Sequence, residues 1–418
     1  MGSRGRVFYG WKLVIGLSWT ELISWGVLYY AFSVFITPMR KQLGWSTAEI
    51  TGALSAGLLV AGTAAIPVGR WVDRHGTRWL MTIGSCLAVG LVVAWSRVSA
   101  LGAFYLVWIG VGLAMSAVLY EPAFAVIAVW FRRRRDRALT ILTFVAGLAS
   151  VIFLPLTNWL VEVYGWRTAL DALAIILAVG TIPVHALLLR HRPADAGLLP
   201  DGDNHDQPDI AASKPESSIP AREALRDETF WWITTGFVLA ILAATAITVH
   251  LVPYLISRGY SSGYAASMAG LVGIFALPGR LIFTPLGSRW PRHLVTGAIF
   301  ACQMLALLIL LLVHGTIGVL LFVLLFGAGF GAITPARAAL VAERYGPDHY
   351  ASINSVLACF LTGAKAIAPV GAGLIFSLGG YHLVFIVLLF IAGAAIIPIQ
   401  LPSLGRRQES VGELAAND

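Results

Sequence analysis

Charge is scarce in this sequence. Asp, Glu, Lys and Arg together make up 12% of the 418 residues, while apolar and aromatic side chains make up 58% and the mean hydropathy is +0.80. A soluble core of this size cannot hide so much apolar surface, so the excess must face lipid. Cysteine is scarcer still. Cys86, Cys302 and Cys359 have neither metal-ligand nor redox spacing, which excludes a disulfide framework and leaves them as packing residues. Walker-type phosphate loops, HExxH pairs and nucleophile elbows are all missing. The chain is therefore read as neither an enzyme nor a self-contained ATP-driven pump, with no cofactor and no metal. Gradient-driven transport is the remaining class, with a non-transporting sensor on the same scaffold as the competing one.

What is present is a series of long apolar stretches. A hydrocarbon core of about 30 Å needs roughly 20 apolar residues per helix. Twelve such stretches can be read, at approximately 11–39, 47–71, 79–96, 100–129, 138–163, 168–189, 230–257, 264–286, 294–313, 315–342, 352–378 and 382–401. The first contains Glu21 and several aromatics and is too long for a cleavable signal peptide. One long polar stretch, 190–228, is rich in Asp, Pro and Ser and divides the spans six and six. It reads as a flexible tether whose end, 221–229, forms a short amphipathic helix. The predicted fold is an all-α integral membrane protein of twelve transmembrane helices in two pseudo-symmetric bundles. The first bundle covers 1–189, the linker 190–228, and the second bundle with its tail 229–418.

A net charge of +8 raises the question of nucleic acid, but the basic residues sort by loop. Arg4, Arg6 and Lys12, Arg70, Arg74 and Arg78, the run Arg132 to Arg135, Arg190, Lys214 and Arg222, Arg289 and Arg292, and Arg406 and Arg407 all fall on one side. By the positive-inside rule both termini are cytoplasmic, in an inner or plasma membrane. The basicity is a topology signal, and no nucleic-acid partner is expected. The lipid bilayer is, and the chain is expected to work as a monomer.

The halves also repeat each other. Pro67, Gly69, Arg74 and His75 recur at constant offset as Pro285, Gly287, Arg292 and His293, and Pro122, Ala123, Ala125 and Ala138 as Pro335, Ala336, Ala338 and Ala351.

Between stretches two and three, the run from Gly69 through Asp73, Arg74 and Gly76 to Arg78 resembles the loop signature of the major facilitator superfamily. Asp73 is suited to pair with basic residues or a helix N-terminus as one face of a carrier closes. Trp130-Phe131 followed by Arg132 to Arg135, Arg137-Ala138-Leu139 and Ala146-Gly147 resembles the corresponding signature of monocarboxylate transporters. Tyr9-Gly10-Trp11 and Gly165-Trp166-Arg167 are similar to that group as well. Gly363-Ala364-Lys365-Ala366 with Pro369 and Gly371, and Arg280 on the eighth stretch, resemble oxalate/formate exchangers. Tyr30 stands where animal monocarboxylate transporters carry a lysine, and Ala276 where they carry an acid, so their proton-coupling residues are not carried over. The superfamily resemblance implies that helices 1, 4, 7 and 10, flanked by 2, 5, 8 and 11, line a central cavity.

A charge at mid-bilayer costs about 3 kcal/mol on insertion scales, so each one should face water or a partner. Six candidates lie inside spans, all on those eight helices: Glu21, Glu121, His250, Arg280, Arg337 and Lys365. Arg280 follows Pro278 and Gly279, and its planar fork suits a carboxylate. Lys365, among small residues, offers a second positive charge. Either the two stabilise an organic anion, or they snorkel or pair with Glu21 or Glu121. Glu121 and Arg337 lie at similar depth and are read as a gating pair or as a local structural pair. Glu21 and Glu121 are the candidate proton carriers, because a low dielectric favours the neutral acid. His250 and Tyr254, one turn apart, are candidate donors to the solute, the histidine being otherwise a packing residue. Tyr29, Tyr30 and Tyr120 are candidates to shape the pocket. The expected cargo is a mono- or dicarboxylate such as lactate, pyruvate or oxalate, moved by proton symport or anion exchange, with a sugar phosphate as the alternative.

Overall fold

The computed structural model describes residues 8–202 and 218–401, and every regular element among them is helical. The middle of the expected tether, 203–217, lies outside the described residues, as do Arg4, Arg6, Lys214, Arg406 and Arg407 of the loop-charge pattern. Ten helical runs among the described residues are long and apolar enough to cross a membrane. Two of them, Arg135–Leu188 and Tyr350–Leu401, span 54 and 52 residues, more than twice the length one crossing needs. The first is broken at Gly165 and the second at Gly379 and Gly380, and the positive φ of Gly165 (+77°) and Gly380 (+68°) favours glycine. Stretches five and six share the first run, and eleven and twelve the second.

The chain forms two compact units, Met1–Ala221 with Val341–Cys359, and Arg222–Leu340 with Phe360–Asp418. The sequence reading assigns 341–359 to the C-terminal bundle, whereas in the structure this segment packs with the first unit.

Unit 1 begins with α1 (Tyr9–Trp25), a π turn (Gly26–Tyr30) and α2 (Phe32–Leu43). Next come α3 (Thr47–His75), α4 (Arg78–Arg97), α5 (Leu101–Val118), α6 (Tyr120–Trp130), α7 (Arg135–Gly147) and α8 (Ala149–Leu188). Ser46 starts α3 with a reciprocal cap. Its hydroxyl accepts from the Glu49 amide at 3.2 Å while the Glu49 carboxylate accepts from the Ser46 amide at 2.8 Å. The core is aromatic: Phe32 meets Trp108 edge-on at 4.6 Å, and Trp95 meets Trp108 at 5.0 Å and Phe35 at 5.1 Å. A Cβ on Gly112 would collide with the Gly57 carbonyl oxygen, so glycine is what lets the α3 and α5 backbones touch.

Unit 2 is built from α9 (Ala221–Ala224), α10 (Glu228–Ser257), α11 (Ser262–Leu286) and α12 (Arg292–Leu312), with most of α13 (Thr316–Tyr345) and α14 (Tyr350–Ala394). The amphipathic helix expected over 221–229 is only the single turn α9. Asp227 ends it by acting as N-cap of α10, its carboxylate accepting from the Thr229 amide at 3.0 Å. Here α11 and α13 approach as α3 and α5 do, with Gly331 against the Ala276 carbonyl.

The start of the linker is not a loose tether. Asp195 caps Arg192, its carboxylate accepting from the Arg192 amide at 2.9 Å. Asp201 is 5% exposed, and its carboxylate accepts from the amides of Arg132, Arg133 and Arg134 at 3.0, 2.8 and 3.2 Å. Asp201 adopts φ +60°, a left-handed conformation that aspartate tolerates better than most side chains. One buried acid thus satisfies three amides that precede α7 and ties residues 189–202 to the α6–α7 connection. The low hydrophobicity of the segment hid this, because its order comes from hydrogen bonds and not from burial of apolar surface. Replacing Asp201 by alanine is expected to cost about 3 kcal/mol, since charged acceptors contribute more than neutral ones. The thermal midpoint of the purified protein should fall by roughly 5–10 °C. Asp201→Gly relieves the left-handed backbone and should still lose most of that stability, and an unchanged midpoint in both variants would show that the three bonds contribute nothing.

Candidate solute and gating sites

In unit 1 the sequence-derived candidates fall into two groups. Asp73, near the end of α3, accepts from the Ala351 amide at 3.0 Å and from the Ser352 amide at 2.8 Å. These are first-turn amides of α14, where unsatisfied N–H groups and the helix dipole both favour an anion. Gly69, one turn earlier, lets the backbones approach, because a Cβ there would collide with the Ala351 carbonyl and the Ser355 hydroxyl. Beside this contact lies a small hollow lined by Asp73, Thr77, Ala125, His191, Arg192 and Asp348, among others.

His191 covers Gly76, and its ring takes the space a side chain there would need. Burial, then the neighbouring Arg192 and His75, hold the His191 imidazole below its ordinary 6.5, and Asp195 opposes them. The folded protein therefore prefers neutral His191, and the unfolded chain binds more protons over the interval below 6.5. Stability from this group is complete above about pH 6.5 and is lost as the pH falls. Between pH 7.5 and 5.5 the thermal midpoint of wild type should decline more steeply than that of His191→Asn. Parallel curves would remove His191 from the account.

The second group lies mid-span. Glu21 is fully buried, with the Trp25 indole N–H, one turn on, as its neighbouring donor. Glu121 is the second residue of α6, which starts after Leu119 breaks the fourth stretch with an extended backbone (φ −92°, ψ −165°), and it accepts a hydrogen bond from the Asn354 side chain. Trp25, Tyr29, Tyr30 and Tyr120 cluster nearby, with Trp25 5.4 Å from Tyr29, 6.4 Å from Tyr30 and 5.1 Å from Tyr120. The sequence reading missed Trp25 and Asn354. Four-residue spacing from Trp25 to Tyr29 was a visible signal, whereas Asn354 is one polar residue in an apolar stretch.

In unit 2, Arg280 is half-buried on α11 and donates from Nε to the Gly331 carbonyl of α13 at 3.1 Å. The glycine-mediated approach of these helices brings that carbonyl within reach. Lys365 is exposed on α14, and Gly363 beside it has open space where a Cβ would stand. Arg337 is 5% exposed on α13. His250 Nε2 lies 3.1 Å from the Pro369 carbonyl, which only accepts, so this nitrogen carries a proton and donates. Tyr254 is 2% exposed within the unit 2 core, stacked on Phe385 of α14 at 4.2 Å, and its hydroxyl has no partner among the described residues.

An all-helical protein of apolar runs with charged side chains mid-span and paired internal repeats has the build of a membrane carrier. Residues 18–361 match the Major Facilitator Superfamily, and the chain belongs to that superfamily. It is 24% identical over 396 residues to the uncharacterized MFS-type transporter YcxA of Bacillus subtilis (strain 168), covering 90% of this chain and 91% of that one. It is 26% identical over 411 residues to monocarboxylate transporter 13 of Bos taurus, covering 94% and 89%. A crystal structure of a bacterial homologue of the iron transporter ferroportin in its outward-facing state matches with a TM-score of 0.72 at 15% identity, over 94% of this chain and 98% of that one. This last likeness concerns the fold alone. The protein is an integral, multi-pass membrane transporter with resemblance to the monocarboxylate transporters.

Proposed function

We propose that the protein is a secondary carrier of a small organic anion, moving a mono- or dicarboxylate by alternating access. The observation that carries this reading is the pair of basic side chains within the spans of unit 2, Arg280 on α11 and Lys365 on α14. Neither belongs in hydrocarbon, and both suit a carboxylate. The bovine relative named a monocarboxylate transporter supports the same class of cargo. In this reading both termini are cytoplasmic in an inner or plasma membrane, and the Asp73 contact with the start of α14 holds one face of the carrier closed. Glu21 is the proposed proton carrier of a symport cycle, because full burial makes a carboxylate costlier than the neutral acid.

The test begins with thermal unfolding of the purified protein in the presence of small organic acids. A ligand that binds the folded state alone raises the midpoint, by an amount set by its concentration over its Kd. Acids that do so are then assayed for uptake into proteoliposomes, with and without an imposed pH gradient. Uptake driven by the gradient alone identifies symport, and uptake only against internal anion identifies exchange. Stabilisation by cationic or sugar-like solutes and by no acid would overturn the anion reading.

A further inference from the structure

The contact between Arg280 and Gly331 has a cause one turn further along α13. In a regular helix the Gly331 carbonyl accepts from the amide four residues on. That residue is Pro335, which has no N–H to give and whose ring crowds the carbonyl four residues back. Gly331 is the 16th residue of the 30-residue α13, so its carbonyl stands roughly 20 Å from either end of the helix. A carbonyl left unbonded at that depth is costly. Transmembrane helices tolerate an interior proline where a neighbouring helix supplies the missing donor. Within unit 2 the donor is Arg280 Nε of α11, 3.1 Å from the Gly331 carbonyl oxygen.

With this donor in place α13 runs unbroken from Thr316 to Tyr345. Unit 1 shows the other outcome. Pro122, which matches Pro335 in the internal repeat, comes just after the extended residue Leu119, and the fourth stretch is split there into α5 and α6. The close approach of Gly331 to the Ala276 backbone, where a Cβ would collide with the carbonyl oxygen, holds the acceptor against α11. The bond also decides how Arg280 can meet a carboxylate. A guanidinium offers two kinds of parallel N–H pair, a side-on pair that includes Nε and an end-on pair of Nη1 and Nη2. With Nε directed at Gly331, bidentate contact has to use the end-on pair.

We infer that Pro335 is a positioning residue of the solute site: it withholds an amide from the Gly331 carbonyl, keeps that acceptor for Arg280, and so presents the Nη1 and Nη2 edge of the guanidinium to a carboxylate. The inference rests on the anion reading above and adds to it a residue that acts through Arg280 without touching the solute. Pro335→Ala brings an N–H into competition for the carbonyl, and Arg280 then loses the bond that fixes its plane. A proline that only shaped α13 would affect stability and binding together. One that serves the arginine should affect them in opposite directions, because a helix interior gains an amide bond and sheds a ring clash when proline becomes alanine.

The test uses the full-length purified protein, with Kd measured for lactate, pyruvate and oxalate and the thermal midpoint measured without ligand. Pro335→Ala should bind the acids that wild type binds about tenfold more weakly, a loss of the order of one hydrogen bond to a charged group, while its midpoint stays level or rises. Unchanged binding, or weaker binding with a lower midpoint, overturns the inference and leaves the anion reading intact. The α-hydroxy acid analogue of alanine, incorporated at 335 by codon suppression, forms an ester without an N–H and should bind within about threefold of wild type. Binding as weak as that of Pro335→Ala would show that the missing donor is not what counts, and overturns the inference. A thermal cycle checks the link without any ligand. The midpoint change caused by Arg280→Met should be more unfavourable in the wild-type background than in Pro335→Ala, by about 2 °C or more, and equal changes overturn the inference. Failure of all three acids to bind wild type at millimolar concentration overturns the anion reading and with it the role of Pro335 in a solute site; unequal changes in that case retain the pair only as a tie between α11 and α13.

Discussion

Replacing Arg280 by lysine is expected to reduce carboxylate uptake in proteoliposomes by about a hundredfold, although the charge is kept. A lysine ammonium is a point charge, whereas guanidinium is a planar fork that meets a carboxylate through two parallel hydrogen bonds. Hydrogen bonds to charged groups contribute about 1.5–3 kcal/mol, and a loss of that size is roughly 10- to 150-fold. Arg280 also donates from Nε to the Gly331 carbonyl, a bond that fixes the plane of the fork relative to α13. Lysine cannot both hold that carbonyl and keep the orientation. Undiminished uptake by Arg280→Lys, in protein whose thermal midpoint is unchanged, would remove Arg280 from the solute site.

Asp73→Asn is expected to release the contact between the end of α3 and the start of α14. The carboxylate uses one oxygen for the Ala351 amide and the other for the Ser352 amide. Asparagine keeps one acceptor, replaces the other by a donor facing an N–H, and loses the charge that the helix N-terminus favours. Together these are worth about 2–3 kcal/mol, a shift of roughly 30- to 150-fold in the population of the engaged state. The measurement is the maleimide-labelling rate of a cysteine placed at Ala125, which is 4% exposed and lines the same hollow as Asp73, in a background lacking the native cysteines. That rate should rise about thirtyfold or more in the Asp73→Asn protein. A rate equal to that of the parent would mean that the two bonds do not hold this face shut.

The two expectations differ in how visible they were beforehand. Asp73 stands in a loop signature whose glycines and charges are contiguous, so both the residue and the kind of partner it needs could be read directly. Its actual partner could not, because Ala351 and Ser352 lie 278 and 279 residues away. Arg280 was legible as an ion where hydrocarbon should be, but its tie to Gly331 depends on two helices touching through glycine. Glu121 shows the limit most clearly. The Asn354 side chain donates to it, and that residue carries no charge and left no electrostatic trace in the sequence.

By itself the sequence determined the membrane class, the apolar runs and the linker that interrupts them, since hydropathy is a local sum over about 20 residues and needs no knowledge of the fold. Tertiary structure alone decided that 341–359 packs with the first unit, that Asp201 orders the linker by capping three distant amides, and that Tyr254 is core. It also decided that a π turn gathers Trp25, Tyr29 and Tyr30 beside Tyr120. The physical reason is common to all of these. A hydrogen bond or a ring contact is chosen by which groups the folded backbone brings within a few ångströms, and that proximity is not encoded in the neighbours along the chain.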